Sequence, residues 1–196
     1  MELANNIEGV VVSAYLGMEQ YWNTTGNLTG ANTIMTVEAR HSAFIRYGAL
    51  ALEPHPSPYD MPLDFDSIQT LIKPFVLDCP LTDAPMPPIA DIKSFPILGY
   101  QNYTYPISIN DTITLDTQNL VLVPKKRGKT PLYAAWATHG SPAYTPAIDI
   151  DGRGMHFNTT VPKGTAGQSY VFLTACNDTF TDSVILAGPA VLEVGD

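Results

Sequence analysis

Glu38 and His41 stand three residues apart in Glu-Ala-Arg-His, inside a stretch where Ile34, Val37, Phe44 and Ile45 recur at helical spacing. Positions i and i+3 share one side of a helix, so the carboxylate and the imidazole project together, and the apolar neighbours predict that this side is turned to the core. Burying an unpartnered carboxylate is costly, or forces it to take up a proton. A bound metal ion removes that penalty. Glu-x-x-His is the unit from which di-iron and di-manganese helical bundles build their sites, each joined by a single glutamate from a neighbouring helix. Glu8 is the candidate for that glutamate. A purely structural account of the same residues pairs Glu38 with Arg40 or Arg46 of a neighbour, satisfies His41 within the core, and leaves Glu8 at the edge of its stripe.

The elements that must position these groups follow from the same spacing. Leu3, Ile7, Val10, Val11, Ala14 and Met18 mark one face of a first helix, which is expected to end near Trp22 before a Gly- and Thr-rich loop over residues 23–30. The second helix is expected over residues 32–50. Four prolines between Pro54 and Pro62 then forbid helix and favour an extended crossing segment. Asp66-Ser-Ile-Gln69 reads as a capping box opening a short third helix with Ile68, Leu71, Ile72 and Phe75 inward. Pro80, Pro85, Pro87 and Pro88 make a linker. Beyond about Phe95 the pattern changes to period two, with turn residues every eight to twelve positions, as in an Ig-like β-sandwich. Strands are expected over residues 113–115, 120–123, 132–138, 147–150, 155–159, 169–175, 183–186 and 191–194. The expected fold is therefore α+β, with a helical unit over residues 1–95 and a β-sandwich over residues 96–196.

Composition narrows the function classes. The chain has 196 residues, 45% hydrophobic content and a formal net charge of −9, so it can bury a core but repels phosphate backbones. No basic stripe offsets that charge, and Lys125-Lys-Arg-Gly-Lys129 reads as a charged hairpin tip before a dibasic processing site. No apolar run approaches bilayer length, and Glu2, Glu8 and Glu19 exclude a signal peptide or anchor within residues 1–22, so the chain reads as soluble. Nucleotide loops, nucleophile elbows and zinc cysteine clusters are absent from the sequence. His139 and His156 have no partner at metal-like spacing and read as ordinary side chains.

Six Asn-x-Ser/Thr sequons begin at Asn23, Asn27, Asn102, Asn110, Asn158 and Asn177, which points to a glycosylated, secreted protein. Two cysteines are present, Cys79 and Cys176. Either they pair in an oxidising compartment, closing a loop of roughly 100 residues worth about 4 to 5 kcal/mol in the chain-entropy account, or they are buried thiols. Tyr100, Tyr103, Tyr105, Trp136 and Tyr144 give the β-rich half a supply of aromatic surface or core.

Taken together, Asn6-Ile-Glu-Gly-Val-Val-Val-Ser-Ala-Tyr-Leu-Gly17, Val37-Glu-Ala-Arg-His-Ser-Ala-Phe-Ile-Arg46, Pro58-Tyr-Asp-Met-Pro-Leu-Asp64 and Pro74-Phe-Val-Leu-Asp-Cys-Pro80 resemble the secreted ferritin-like domain family. Its fungal members are named as stress-response or late sexual development proteins. The resemblance covers about the first 95 residues, and Leu186-Ala-Gly-Pro-Ala-Val-Leu-Glu-Val194 is similar to the C-terminal part of the fungal members. It implies a four-helix bundle in which Glu8 matches the single glutamate of the third helix, and Glu38 and His41 match the Glu-x-x-His of the fourth. The first two helices of that pattern have no counterpart here, so the chain is expected to hold half a bundle, the missing half lost by truncation or replaced by packing against the β-rich domain. Two chains pairing their hairpins about a two-fold axis would supply four glutamates and two histidines. The resemblance thus implies a di-iron or di-manganese protein with oxidase or ferroxidase chemistry. The alternative is a non-catalytic secreted structural or binding glycoprotein of the fungal surface.

Overall fold

Apolar spacing and proline placement partition the chain into helices followed by strands, and the three-dimensional arrangement follows that partition. The computed structural model describes residues 1–22, 24–77, 92–118 and 131–195. Helices α1 (Glu2–Met18), α2 (Thr25–Leu50) and α3 (Phe65–Ile72) precede seven strands. These are β1 (Leu98–Gln101), β2 (Thr112–Thr117), β3 (Leu132–Ala137), β4 (Ala143–Asp149), β5 (His156–Thr160), β6 (Gly167–Thr174) and β7 (Ile185–Val194). The architecture is α+β.

Helix α2 begins earlier than its composition suggests. Thr24 caps it, its hydroxyl accepting from Asn27 N at 3.2 Å. The expected loop over residues 23–30 is therefore largely the helix's opening turns. Thr29, Thr33 and Thr36 return their hydroxyls to carbonyls three or four residues back, which lets threonines persist inside a helix they would otherwise weaken. Helix α3 is capped by Asp64 rather than by the anticipated Asp66, with Asp64 Oδ1 accepting from Ser67 N at 2.8 Å. Asp66 instead accepts from Lys93 N. Ile68 and Leu71 pack inward as expected, whereas Ile72 and Phe75 are exposed.

The buried face of α1 also differs from its apolar stripe. Leu3 and Ile7 are exposed, and the face turned to the rest of the molecule carries Asn5, Gly9, Ser13 and Gly17 at intervals of four. A Cβ on Gly17 would fall 1.7 Å from the Leu63 carbonyl oxygen, and one on Gly9 would strike the Gln168 side chain. Small residues thus permit the extended segment at Leu63 to lie against the helix, where Leu63 N donates to Ser13 O at 3.0 Å. Val12 and Ala14 are buried beside them, while Leu3 and Ile7 are left facing out.

Among the described residues the strand pairings are antiparallel, in the order β1-β2-β5-β4-β3-β6-β7. Within these residues the β-rich part forms one continuous seven-strand order, close to a sandwich or barrel. Strand β4 joins its two halves, pairing with β3 through Ala143–Ala147 and with β5 at Ile148 and Asp149. The halves curl around one core that includes Ile113, Leu115, Trp136, Phe157, Val171 and Leu192. Expected strands at residues 183–186 and 191–194 are a single strand, β7. Gly188 at φ +110° carries the chain through the position read as a turn, where a Cβ would sit 2.8 Å from the Val171 oxygen. The strand expected at residues 120–123 and the basic segment at 125–129 lie outside the described residues, as does the linker over residues 80–88.

Strands β3, β6 and β7 are covered on both faces. Ala135, Ala137, Tyr170 and Phe172 turn toward the helices and pack with Leu63, Val10 and Ile68. One ion pair crosses this junction: Arg46 Nη1 lies 2.6 Å from Glu193 Oε2, with the side chains 6% and 1% exposed. Asn5 Nδ2 donates to the same carboxylate at 3.3 Å, and Arg46 Nε donates to Glu53 O at 2.7 Å. Removing one partner strands the other charge away from water. Arg46→Ala is expected to lower unfolding free energy by about 3 to 5 kcal/mol in urea titrations, and an Arg46→Met, Glu193→Leu double substitution to lose less.

Candidate metal centre

The α1–α2 hairpin brings the three sequence-predicted ligands together. His41 Nδ1 lies 2.9 Å from Glu38 Oε2 and 3.6 Å from Glu8 Oε1. One ligand atom from each of the three residues falls within 4.8 Å of the other two. The site does not sit in the core, as the apolar stripe of α2 had suggested. His41 is 54% exposed, and each glutamate is 24% exposed. Ile34, Val37 and Phe44, which share the ligand side of α2, are themselves exposed. The reason lies in how α2 docks: its buried residues are Ala31 and Arg46, so Arg46 turns one side to the sheet and leaves the Glu38–His41 side open.

Partial burial raises the Glu8 carboxyl above its ordinary range, and the adjacent Glu38 carboxylate adds to that rise while His41 opposes it. Among the described residues Glu38 meets His41, and neither Arg40 nor Arg46 forms an ion pair with it. Ligand atoms around one divalent ion, each at about 2.0 to 2.2 Å, stand at most about 4.4 Å apart, so small side-chain adjustments would gather this trio on one ion. Two oxygens and one imidazole nitrogen suit iron or manganese.

A second polar cluster escaped the sequence reading. His156 Nδ1 lies 2.8 Å from Asp151 Oδ2, and its Nε2 lies 3.7 Å from Asp116 Oδ1 on β2. The signal was present in Asp149-Ile-Asp-Gly-Arg-Gly154, whose carboxylates accept from backbone N–H groups of Asp151, Gly152 and Arg153 and so fold the turn back onto His156. His139 has a hydroxyl neighbour, Ser57 Oγ at 3.4 Å from its Nδ1.

An open cleft of about 760 Å³ lies between the hairpin, the Pro54–Met61 segment and the sheet, lined by Ser13, Arg40, Tyr59, Gln168 and Tyr170 among others. None of Glu8, Glu38 or His41 lines it. Of the aromatic residues singled out, Trp136 is buried, Tyr100 stacks edgewise on Tyr103, and Tyr105 joins the Asn5 network, where burial raises its hydroxyl to about 12. Tyr144 donates to Thr179 O.

Asn27, Asn102, Asn110 and Asn177 are exposed, Asn158 is half-buried in β5 with its Oδ1 accepting from Thr114, and Asn23 lies outside the described residues. Cys79 also lies outside them, and Cys176 is half-buried with no disulfide among the described residues. No helix among those residues is long and apolar enough to cross a membrane.

Residues 1–50, the α1–α2 hairpin, match the ferritin-like domain family. No curated protein matches the chain.

The His156 cluster yields a pH prediction. Hydrogen bonding to Asp151 raises His156 from 6.5, and the same bond lowers Asp151 from 3.8. Stabilisation by His156 is therefore complete below about pH 6.5 and lost as pH rises through its raised folded value. Stabilisation by Asp151 is present above about pH 3.9 and lost as pH falls through its depressed one. Imidazole resonances of His156 are expected to titrate above pH 6.5 by NMR, and Asp151→Asn to lower that midpoint.

Proposed function

We propose that this chain is a ferritin-like protein that binds iron or manganese through Glu8, Glu38 and His41. The observation carrying this reading is the arrival of Glu8, from α1, beside the Glu38–His41 pair of α2. A helical i, i+3 pair alone would be an ordinary surface contact. A second carboxylate brought in from another helix, against like-charge repulsion, is what a cation-binding site requires. The match of the same hairpin to the ferritin-like domain family supports the reading independently.

Bound iron or manganese would supply redox chemistry of oxidase or ferroxidase type. The chain's own residues contribute charge and position. The two glutamates offset a divalent charge, His41 supplies a nitrogen donor, and Ile7 and Val37 next to the ligands form an apolar rim.

In its finer form the proposal places the chain with the secreted fungal ferritin-like proteins of stress response and sexual development, on the strength of the four sequence segments. Exposure of Asn27, Asn102, Asn110 and Asn177 leaves four of the six sequon asparagines accessible to a glycan. The same exposure favours a second reading, a non-catalytic secreted scaffold whose glycosylated β-rich part makes its contacts.

Metal analysis by mass spectrometry separates the two. The purified chain is expected to carry about one iron or manganese ion, with Glu38→Ala and His41→Ala each reducing occupancy by about tenfold or more. Unchanged metal content in both variants would end the metal reading. Expression through a secretory pathway is expected to give a glycosidase-sensitive mass increase that Asn27→Gln, Asn102→Gln, Asn110→Gln and Asn177→Gln together remove.

A further inference from the structure

The metal trio is incomplete on its own chain. Three ligand atoms from three residues meet on an open face, one of them on a histidine that is 54% exposed. Transition ions held by carboxylates and imidazoles take four to six ligands, so the side of the ion away from the hairpin has no protein donor among the described residues. Around that open side stand exposed apolar side chains. Ile34, Val37 and Phe44 on α2 are 45%, 37% and 76% exposed, and Leu3 and Ile7 on α1 are 57% and 48% exposed. They follow the ligand residues at helical intervals: Ile34 lies four residues before Glu38, Val37 four before His41, and Phe44 three after it. Exposed apolar side chains gathered on the ligand side of α2 mark an association surface.

Charge identifies what covers it. A second copy of the face, brought up by a two-fold rotation, would present the same two carboxylates and one imidazole, making four carboxylates and two imidazoles at the centre of an apolar interface. Two divalent cations neutralise four carboxylates. Without them the same interface would bury four like charges, which an apolar contact does not tolerate. An unrelated partner would need to bring its own matching donors, whereas the copy brings them by symmetry.

We propose that two chains associate through the Glu8–Glu38–His41 face only when divalent metal is bound, each copy completing the other's coordination. The inference rests on the metal reading above and adds to it the partner and the condition for assembly. Metal is then the switch between monomer and dimer, and the apolar rim supplies the contact area while the ions remove the repulsion.

Sedimentation of the full chain, run in chelator and then with manganese, with ferrous iron under anaerobic conditions, or with redox-silent zinc, tests this directly. One chain mass is expected in chelator and two chain masses with metal at about one ion per chain, with the dimer midpoint shifted by about tenfold or more and reversed by chelator. Glu38→Ala should abolish both metal uptake and doubling. Phe44→Asp should keep the helical circular dichroism and the three ligands but remain monomeric in metal. Metal bound by a chain that stays monomeric would overturn the dimer while leaving the metal site standing. Doubling that persists in chelator, or in Phe44→Asp, would overturn the switch or the face. Absence of metal from every preparation would overturn both readings together.

Discussion

Arg46 and Glu193 form the contact on which the relation between helices and sheet depends. Their 2.6 Å ion pair draws in Asn5 of α1, the Glu53 carbonyl beyond α2 and, through Asn5, the Tyr105 hydroxyl. Helix α1, helix α2, strand β7 and two connecting segments are therefore fixed at a single carboxylate. Glu193 Oε1 has no hydrogen-bond partner among the described residues, so the contacts of this carboxylate converge on Oε2. Because Arg46 must reach inward, the rotation of α2 about its axis is set. That rotation leaves Glu38 and His41 on the outer side.

Close approach along α1 complements this clamp. Gly9, Ser13 and Gly17 let the helix settle onto Gln168, Tyr170 and the Leu63 backbone, and the buried Ser13 and Tyr170 hydroxyls meet at 2.7 Å. A helix that docks through small and polar residues keeps its larger apolar side chains for another surface. The outward position of Ile7 and the availability of Glu8 to α2 both follow from that choice. Polar and small residues thus share the docking face with Val10, Val12 and Ala14, while Leu3 and Ile7 face outward.

How far the sequence disclosed this varies element by element. Strong periodicity gave the helix-to-strand change near Phe95 and most strands, because alternation over a half-buried sheet leaves a clear period of two. Glu8, Glu38 and His41 were legible as a group because their chemistry is unusual on apolar stripes. Their exposure was not legible, since periodicity identifies a face without saying what lies opposite it. The start of α2 was hidden by Gly26, Gly30 and the threonines, whose hydroxyl bonds to the helix backbone depend on the helix already existing. The Arg46–Glu193 pair joins residues 147 positions apart, and no local pattern announces such a contact. His156 was passed over for the opposite reason: its partner is near, but the turn that delivers Asp151 is a backbone feature.

That separation of 147 residues has a consequence for biogenesis. The helical hairpin leaves the ribosome well before the strand whose carboxylate anchors it. Until β7 pairs with β6, Arg46 lacks the Glu193 carboxylate and the hairpin lacks that anchor on the sheet. Its apolar side and its polar side are then both uncommitted, and nascent chains in that condition are clients for chaperones. Final docking of the helices therefore waits on the pairing of β7 with β6.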